Sequence, residues 1–216
     1  MSKERTDYLL DLNEILGPKM SAKLPGFAKT FLKNRLHMDQ INDCIMKAEH
    51  YAGAGFFDEA LDYIGITYRT RGEDNLDLSK KYIFACNHPL GGPEALIIGS
   101  VFRKIYGDGF KVPANQILYN MKPLQEFFVP VKVQAGRQGR DIADRFAKMF
   151  ESDCQVLVFP AGLCARTFKG VITEMPWKKM FITQARKYER DVVPVHISGH
   201  NSKWYFFLSW LSRTLK

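Results

Sequence analysis

The chain has 216 residues, a length that fits one domain and can bury a sizeable core. Hydrophobic residues make up 46% of the composition and charged residues 25%, which excludes wholesale disorder. The formal net charge of +8 predicts attraction to an acidic partner, such as a nucleic acid, an anionic bilayer or an acidic carrier protein.

The sequence predicts that the N-terminal part of the chain is helical. Its first segment, residues 7–16, places apolar side chains at helical spacing and ends at Gly17-Pro18, a pair that stops a helix. Further helices are predicted at residues 19–35, 39–51 and 58–64. We therefore divide the chain into an N-terminal helical region, residues 1–63, and a second domain, residues 64–216.

The helix predicted at residues 19–35 has an unusual charge pattern, with five cations and no acid. Phe27 and Phe31 share one helical face by their i,i+4 spacing, and Lys29 and Lys33 share another. We interpret this segment as a basic amphipathic helix that lies at an anionic membrane surface. The alternative is that the two phenylalanines pack on the rest of the protein and the lysines are merely solvated.

From residue 64 onward, strand patterns alternate with helix patterns. Strands are predicted at residues 66–70, 82–86, 111–113, 128–133, 155–159 and 192–197. Helices are predicted at residues 94–105, 139–150 and 177–187. This alternation indicates an α/β fold with a mixed, largely parallel sheet flanked by helices, preceded by the N-terminal helical extension.

Several kinds of segment are absent from the sequence. It has no signal-peptide core and no run of about 18 apolar residues, so we predict no spanning helix and place any membrane contact at the surface. No nucleic-acid-binding module is recognisable. The cysteines lack metal-ligand spacing, so we predict reduced thiols and no metal site, which favours the cytoplasmic side of a membrane. These cysteines are Cys44, Cys86, Cys154 and Cys164.

The most informative stretch follows the strand predicted at residues 82–86 and reads, from residue 87 to 94, Asn-His-Pro-Leu-Gly-Gly-Pro-Glu. Ligands gather at the carboxyl ends of strands in α/β sheets. There, His88 can take a proton from a hydroxyl near neutral pH. The two glycines let the backbone turn tightly enough for Glu94 to reach the ring, fix its tautomer and stabilise its charged form. The alternative is a loop histidine and a glutamate placed at a helix N-terminus, where the helix dipole favours it.

A second segment joins a predicted buried strand to a turn and an arginine. The strand at residues 155–159 runs into Pro160 and Gly162, and Arg166 follows once the turn is complete. Arginine is suited to bidentate binding of a phosphate or carboxylate. The alternative is that Arg166 forms a surface salt bridge.

Together, these segments resemble the lysophosphatidate and glycerolphosphate acyltransferase family. Its signature is Asn-His-x4-Asp, then Phe-Pro-Glu-Gly-x-Arg, then a Val-x-Pro-Val strand. The counterparts here lie at residues 87–94, 159–166 and 192–197. The resemblance covers about residues 65 to 200 and implies the family's glycerolphosphate acyltransferase-like fold.

The sequence departs from this signature in the first and second motifs. The acid is Glu94 rather than Asp and lies one position later, Ala161 replaces a glutamate, and Arg166 stands four residues after the glycine rather than two. This form resembles a bacterial branch related to O-acyltransferases of ornithine or glycine lipids. The resemblance therefore implies a lysophospholipid or a lyso-amino-lipid as acceptor, and an amino-lipid need not carry a phosphate.

The resemblance also implies roles for individual residues. His88 is expected to be the catalytic base and Glu94 the group that supports its charged form. Arg137 and Arg140 occupy the place of the family's acceptor-binding motif, with a solvated loop as the alternative. Lys178 lies at the start of the helix predicted at residues 177–187 and could guide an anionic group, although a surface helix explains it equally well. The expected substrate-binding residues are Arg137, Arg140, Phe159, Pro160, Gly162, Arg166 and Lys178.

The activity implied by the resemblance is acyl transfer from an acyl thioester, on coenzyme A or acyl carrier protein, to the hydroxyl of a lyso-lipid. No metal, cofactor or nucleic acid is expected, and the implied location is peripheral, on the cytoplasmic face of the bacterial inner membrane. Two alternatives stay open: a hydrolase that uses the same pair to activate water on a lipid ester, and a nonenzymatic lipid-binding protein. Because enzymes of this resemblance usually continue with more sheet, we also expect that the sequence is a shortened form.

Overall fold

The computed structural model describes residues 11–13, 18–35, 38–48, 55–114, 124–131, 140–168, 170–203 and 205–206. At its centre lies a five-stranded sheet with the spatial order β3-β2-β4-β1-β7, in which every neighbouring pair is parallel. These strands are β1 (Tyr82–Cys86), β2 (Phe110–Ala114), β3 (Phe128–Pro130), β4 (Gln155–Val158) and β7 (Asp191–Val195). The predicted fold class, a largely parallel sheet flanked by helices, is confirmed.

Seven α-helices occur within the described part of the chain, together with a short 3-10 helix at Glu73–Asn75. The helices are α1 (Pro18–Lys23), α2 (Gly26–Arg35), α3 (Met38–Ala48), α4 (Gly55–Ile64), α5 (Gly92–Tyr106), α6 (Arg140–Glu151) and α7 (Met180–Lys187). The division of the chain after residue 63 stays a prediction.

The neighbouring strands β1 and β4 are buried along their whole length, as expected for a parallel sheet covered on both faces. Successive side chains of β1 point to opposite faces. Phe84 belongs to a core on one face that includes residues of α4 and α5, whereas Ile83 belongs to a core on the other face with residues of α6 and α7. Helices on both faces therefore fix β1, and with it the position of the loop that follows it.

The core against α4 and α5 is rich in aromatic rings. Phe110 and Phe127 stack with their ring centroids 4.7 Å apart, and the centroid of Phe57 lies 5.2 Å from that of Phe127. Gly99 of α5 lets α4 approach closely, because the ring of Phe57 occupies the space that a side chain at position 99 would need. α4 is thus packed in the same core as the sheet.

The strand predicted at residues 66–70 is wrong, because the structure assigns no strand there. Both edges of β1 are already occupied, by β4 and β7. The alternation of side chains has another cause: Ile66 and Tyr68 are half-buried, and the Tyr68 hydroxyl lies 2.6 Å from that of Ser100 on α5. The segment is an irregular connection that packs on a helix.

The helix predicted at residues 19–35 is interrupted. α1 ends at Lys23 and α2 begins at Gly26, because Pro25 disfavours a helical conformation of the residue before it. The helix predicted at residues 7–16 lies almost wholly outside the described residues. No helix in the described part of the chain is long and apolar enough to span a bilayer.

The sequence did not predict an antiparallel hairpin that lies outside the main sheet. It consists of β5 (Arg166–Phe168) and β6 (Val171–Thr173), with Phe168 directly opposite Val171. Gly170 has a positive φ of 80°, a conformation that suits a tight turn and that other residues rarely adopt. Each of its strands has three residues, and neither belongs to a longer apolar run of the kind that predicted β3 at residues 128–133.

Candidate active site

The residues of predicted catalytic function lie at the carboxyl-terminal edge of the parallel sheet. The loop between β1 and α5 carries His88, and Glu94 lies in the first turn of α5. The segments that follow β4 and β7 reach the same edge, since parallel strands end on the same side. This edge is where ligands gather in open α/β sheets.

His88 and Glu94 are in direct contact. The Nδ1 atom of His88 is hydrogen-bonded to Oε1 of Glu94, and Oε2 of Glu94 accepts a 2.8 Å hydrogen bond from the backbone N–H of Leu90. The side chain of Glu94 is 0% exposed, so both oxygens depend on these partners. The contact leaves Nε2 of His88 as the ring nitrogen that can act on a substrate.

Gly91 allows the loop to bring these two side chains together. Its φ of 86° and ψ of −118° are strained for any residue with a side chain, and a Cβ atom there would lie 3.1 Å from Sγ of Cys164. A side chain at Gly92, in contrast, would meet no atom within 4 Å. Of the two glycines that the sequence singled out, Gly91 is the one the backbone conformation requires.

Two asparagines fix the loop of His88 to the segment after β7. Asn87 forms a double hydrogen bond with the backbone of Ile197, donating from Nδ2 to the carbonyl over 2.9 Å and accepting from the N–H over 2.7 Å. Asn201 donates to the carbonyl of Pro89 over 2.9 Å. The backbone on both sides of His88 is therefore tied to a part of the chain more than 100 residues away.

The imidazole of His88 is largely buried. Its ring stacks on that of Phe159, with centroids 4.5 Å apart and planes 23° apart, and its side chain is 17% exposed. Burial lowers the pKa of His88 to about 4. The ring is therefore neutral at pH 7, with Nδ1–H donating to the carboxylate and a free lone pair on Nε2.

The lone pair of His88 faces a thiol that the sequence did not single out. Sγ of Cys164 lies 3.5 Å from Nε2. Burial raises the pKa of Cys164, opposed by a hydrogen bond to Tyr205 and by the charge of Arg166. The pKa of Tyr205 is also raised, mainly by burial, and the charge of Arg166 opposes this shift only in part. A neutral thiol therefore lies beside Nε2 of His88, hydrogen-bonded to the phenol of Tyr205 and close to the charge of Arg166.

A further carboxylate, Glu174, holds the backbone of the loop that carries His88. Its Oε1 accepts a 3.1 Å hydrogen bond from the N–H of His88 and a 2.9 Å hydrogen bond from the indole of Trp177. The sequence motifs did not point to Glu174. The available signal was that it is the single acid in residues 166–179, a stretch with four cations.

Of the predicted substrate-binding residues after β4, Phe159, Pro160 and Gly162 lie in one turn. The N–H of Gly162, which has φ +69°, donates to the carbonyl of Phe159 over 2.9 Å, and the N–H of Lys178 donates to that of Pro160 over 3.0 Å. Nζ of Lys178 lies 3.2 Å from the position that a Cβ atom of Gly162 would take. Together with Arg166, these residues border the site of His88.

The two remaining predicted residues are not placed at the site. Arg137 lies outside the described residues, and Arg140 begins α6 with a side chain that also lies outside them. No group of three histidine, cysteine, aspartate or glutamate side chains in the described ranges could hold a metal ion. The arrangement at the site is thus a buried histidine–carboxylate pair, with the charge of Arg166 close to the neighbouring Cys164, which suits proton transfer.

Comparison with known proteins identifies one matching family and two similar enzymes. Residues 12–216 match the acyltransferase family. A lyso-glycine lipid O-acyltransferase of Bacteroides thetaiotaomicron is 34% identical over 211 residues, covering 96% of this chain and 77% of that protein. The enzyme of the same name from Phocaeicola vulgatus is 31% identical, covering 96% and 75%. No solved structure matches the chain significantly.

Proposed function

Because this chain belongs to the acyltransferase family and is an O-acyltransferase, we propose that it transfers a fatty acyl group from an acyl thioester to the hydroxyl of a lyso-lipid. The names of its relatives support lyso-glycine lipid, or a similar lyso-amino-lipid, as the acceptor. The acyl donor is acyl-coenzyme A or acyl carrier protein. The sequence-based resemblance to an acyltransferase family is confirmed.

The observation that carries the proposed mechanism is the contact between Nδ1 of His88 and the buried carboxylate of Glu94. The carboxylate holds the proton of the ring on Nδ1, so that Nε2 can accept one. The acceptor hydroxyl takes the place next to Nε2 that the thiol of Cys164 now occupies, at 3.5 Å. Geometry and protonation state are therefore both suited to general base catalysis.

The proposed reaction passes through a tetrahedral intermediate and needs no acyl-enzyme. His88 removes the hydroxyl proton as the oxygen attacks the thioester carbonyl, and the carbonyl carbon becomes tetrahedral. The new C–O bond is retained when the C–S bond breaks, and the imidazolium returns its proton to the departing thiolate. Glu94 stabilises the imidazolium in between, because a buried carboxylate attracts the charge strongly.

The oxyanion of the tetrahedral intermediate needs hydrogen-bond donors. The N–H of Gly162, one of the glycines near the site, already donates to the carbonyl of Phe159. The better candidates are the N–H groups of Gly91 and Gly92, since the first N–H groups of α5 have no acceptor within the helix and lie at the positive end of its dipole.

Arg166 is proposed to bind an anionic part of the acceptor, such as the carboxylate of an amino-lipid head group. We expect Arg166→Ala to raise the apparent KM for the acceptor by about 10- to 100-fold, the range for loss of a hydrogen bond to a charged group. Arg166→Lys keeps the charge but loses the planar fork, so it should also show a defect. Steady-state kinetics with varied acceptor measures both variants.

A suitable control is Arg186→Ala, which removes the same charge from an exposed position in the last turn of α7. Its KM should equal that of the parent. If Arg166→Ala also had the kinetic constants of the parent, Arg166 would be a surface salt-bridge residue and would have no part in substrate binding.

The membrane contact of α2 is a second part of the proposal, at the cytoplasmic face of the bacterial inner membrane. Phe27 is 79% exposed and Phe31 47%, which favours a surface role over packing in the core. We expect vesicle flotation to require anionic lipid and to fall both with salt and in a Lys29→Glu/Lys33→Glu variant. If flotation does not depend on lipid charge and is unchanged in this variant, another surface of the protein binds the membrane.

The overall activity can be tested with labelled acyl-coenzyme A and acyl carrier protein, each offered with lyso-glycine lipid, lyso-ornithine lipid and lysophosphatidate. The proposal expects a new ester whose formation needs an acceptor. Release of free fatty acid from lipid esters, without acceptor, would identify a hydrolase. Binding of lipid without turnover under every condition would identify a nonenzymatic lipid-binding protein.

A further inference from the structure

The hairpin formed by β5 and β6 exposes large apolar side chains at its end. Phe168 is 57% exposed, Val171 64% and Ile172 45%. Soluble monomeric proteins rarely expose contiguous apolar patches of large side chains unless the patch meets a partner. The hairpin is also separate from the main sheet, and a two-stranded hairpin is only marginally stable alone.

The register of the hairpin places these side chains on both of its faces. Phe168 pairs with Val171, so these two project from one face, whereas Ile172 pairs with Thr167 and projects from the other. A hairpin that docks on the flat surface of a protein needs only one apolar face. Apolar side chains on both faces fit insertion into a medium that surrounds the hairpin.

The charges around the hairpin favour an anionic medium. Lys178 and Lys179 are exposed, and Arg166 lies at the start of β5. Glu174, the single acid in residues 166–179, is half-buried and accepts a hydrogen bond from the backbone of His88. The exposed charges around the hairpin are therefore positive. Trp177, 43% exposed, adds a ring of the kind found at the boundary between headgroups and acyl chains.

The hairpin is continuous with the active site. The N–H of Ala165, immediately before β5, donates a 2.8 Å hydrogen bond to the carbonyl of His88. Cys164, one residue earlier, contacts the imidazole. The surface that contacts the hairpin would therefore lie only a few residues of chain from Nε2 of His88.

We propose that the β5–β6 hairpin inserts into the acyl-chain boundary of an anionic bilayer and sets the site of His88 at the level of the lipid headgroups. This inference rests on the proposed function, in which the acceptor is a lyso-lipid held in the membrane. The hairpin contact is distinct from that of α2: α2 provides a basic amphipathic helix on the surface, whereas the hairpin provides an apolar wedge beside the site.

Vesicle flotation tests the proposal with the Val171→Ser/Ile172→Ser variant and, separately, Phe168→Ser. We expect binding to vesicles that contain phosphatidylglycerol to weaken by at least about 10-fold in each variant, since each loses buried apolar area. The matched control is Leu78→Ser. Leu78 is 61% exposed and lies before the N-terminal end of β1, at the edge of the sheet opposite the active site, so its replacement should leave binding unchanged.

An activity assay separates this proposal from the proposed function. Acyl transfer to a short-chain acceptor that is monomeric in water should be retained in the hairpin variants, whereas transfer to an acceptor held in vesicles should fall. Circular dichroism and thermal unfolding check that the variants are folded. A parent enzyme that is inactive on every acceptor would contradict the proposed function, while its flotation would still report on the hairpin.

The proposal is overturned if the hairpin variants float with the vesicles as the parent and Leu78→Ser do. It is also overturned if the hairpin changes convert a dimer into a monomer, measured by light scattering, and leave flotation unchanged. That result would assign the hairpin to contact with a second copy of the chain.

Discussion

Replacing His88 with alanine is expected to lower kcat for acyl transfer by about 10²- to 10⁴-fold, the usual effect of losing a general base. In the proposed mechanism the imidazole lies between the buried carboxylate and the reacting hydroxyl, because Nδ1 is bound to Glu94 and Nε2 is the nitrogen left to face the substrate. The measurement is turnover with saturating donor and acceptor.

A second variant guards against a loss of fold. His88→Ala leaves the carboxylate of Glu94, which is 0% exposed, without its ring partner, and this can destabilise the protein. His88→Gln can donate an amide N–H to Glu94 but cannot act as a base near neutral pH. We expect it to unfold near the parent's temperature and yet be as inactive as His88→Ala. Turnover close to that of the parent in either folded variant would contradict the assignment.

The pH dependence of the parent enzyme provides another measurement of the same role. A base acts in its neutral form, so kcat/KM is constant above the pKa of the free enzyme and falls below it. With the pKa of His88 lowered to about 4 by burial, kcat/KM should stay constant from about pH 8 down to about pH 6 and fall only towards pH 4. An inflection near 6.5 would indicate a base with the pKa of an exposed histidine.

Glu94→Gln should lower kcat by about 10²- to 10⁴-fold, with little change in apparent acceptor affinity. Glutamine has one acceptor oxygen, whereas the glutamate accepts both from His88 and from the N–H of Leu90. If the amide oxygen binds Leu90, the NH₂ group must donate to Nδ1. The ring proton then moves to Nε2, which can no longer accept a proton from the substrate.

Two further variants define the role of Glu94. Glu94→Asp shortens the side chain by one methylene group, so the carboxylate should reach the ring poorly and kcat should fall. Combining Glu94→Gln with His88→Ala should be no worse than His88→Ala alone, because groups that act as a unit are not additive. If Glu94→Gln and Glu94→Asp both behave like the parent, Glu94 serves only as a residue of the first helical turn.

The parts of the fold that were predictable from the sequence are those in which burial and periodicity agree. β1 and β4 are short apolar runs that end in glycine- or proline-containing turns, and both are buried along their length. The segment at residues 66–70 was wrongly predicted as a strand. Alternation of apolar and polar residues indicates which side chains are half-buried, but it does not indicate what they pack against. There the buried side packs on a helix, and no strand among the described residues pairs with the segment.

The candidate site divides in a similar way. His88 and Glu94 are six residues apart, so the chemistry and turn residues of a single segment were enough to pair them. Cys164 and Glu174 reach His88 from 76 and 86 residues away, and only the tertiary fold brings them there. The fork of Arg166 was predicted as a binding group, but its neighbours Cys164 and Tyr205 were not.

The double hydrogen bond between Asn87 and Ile197 has a consequence for how the protein is made. It joins residues 110 positions apart, so the loop of His88 can be secured only after that length of chain has been synthesised. At about 5 to 20 residues per second, this interval is roughly 5 to 20 s. Contacts of such long range also form slowly, because the entropic cost of closing the loop comes before the contact stabilises it. We therefore expect the nascent chain to contain His88 well before the loop around it is secured. The ability to transfer an acyl group should then arise late in folding.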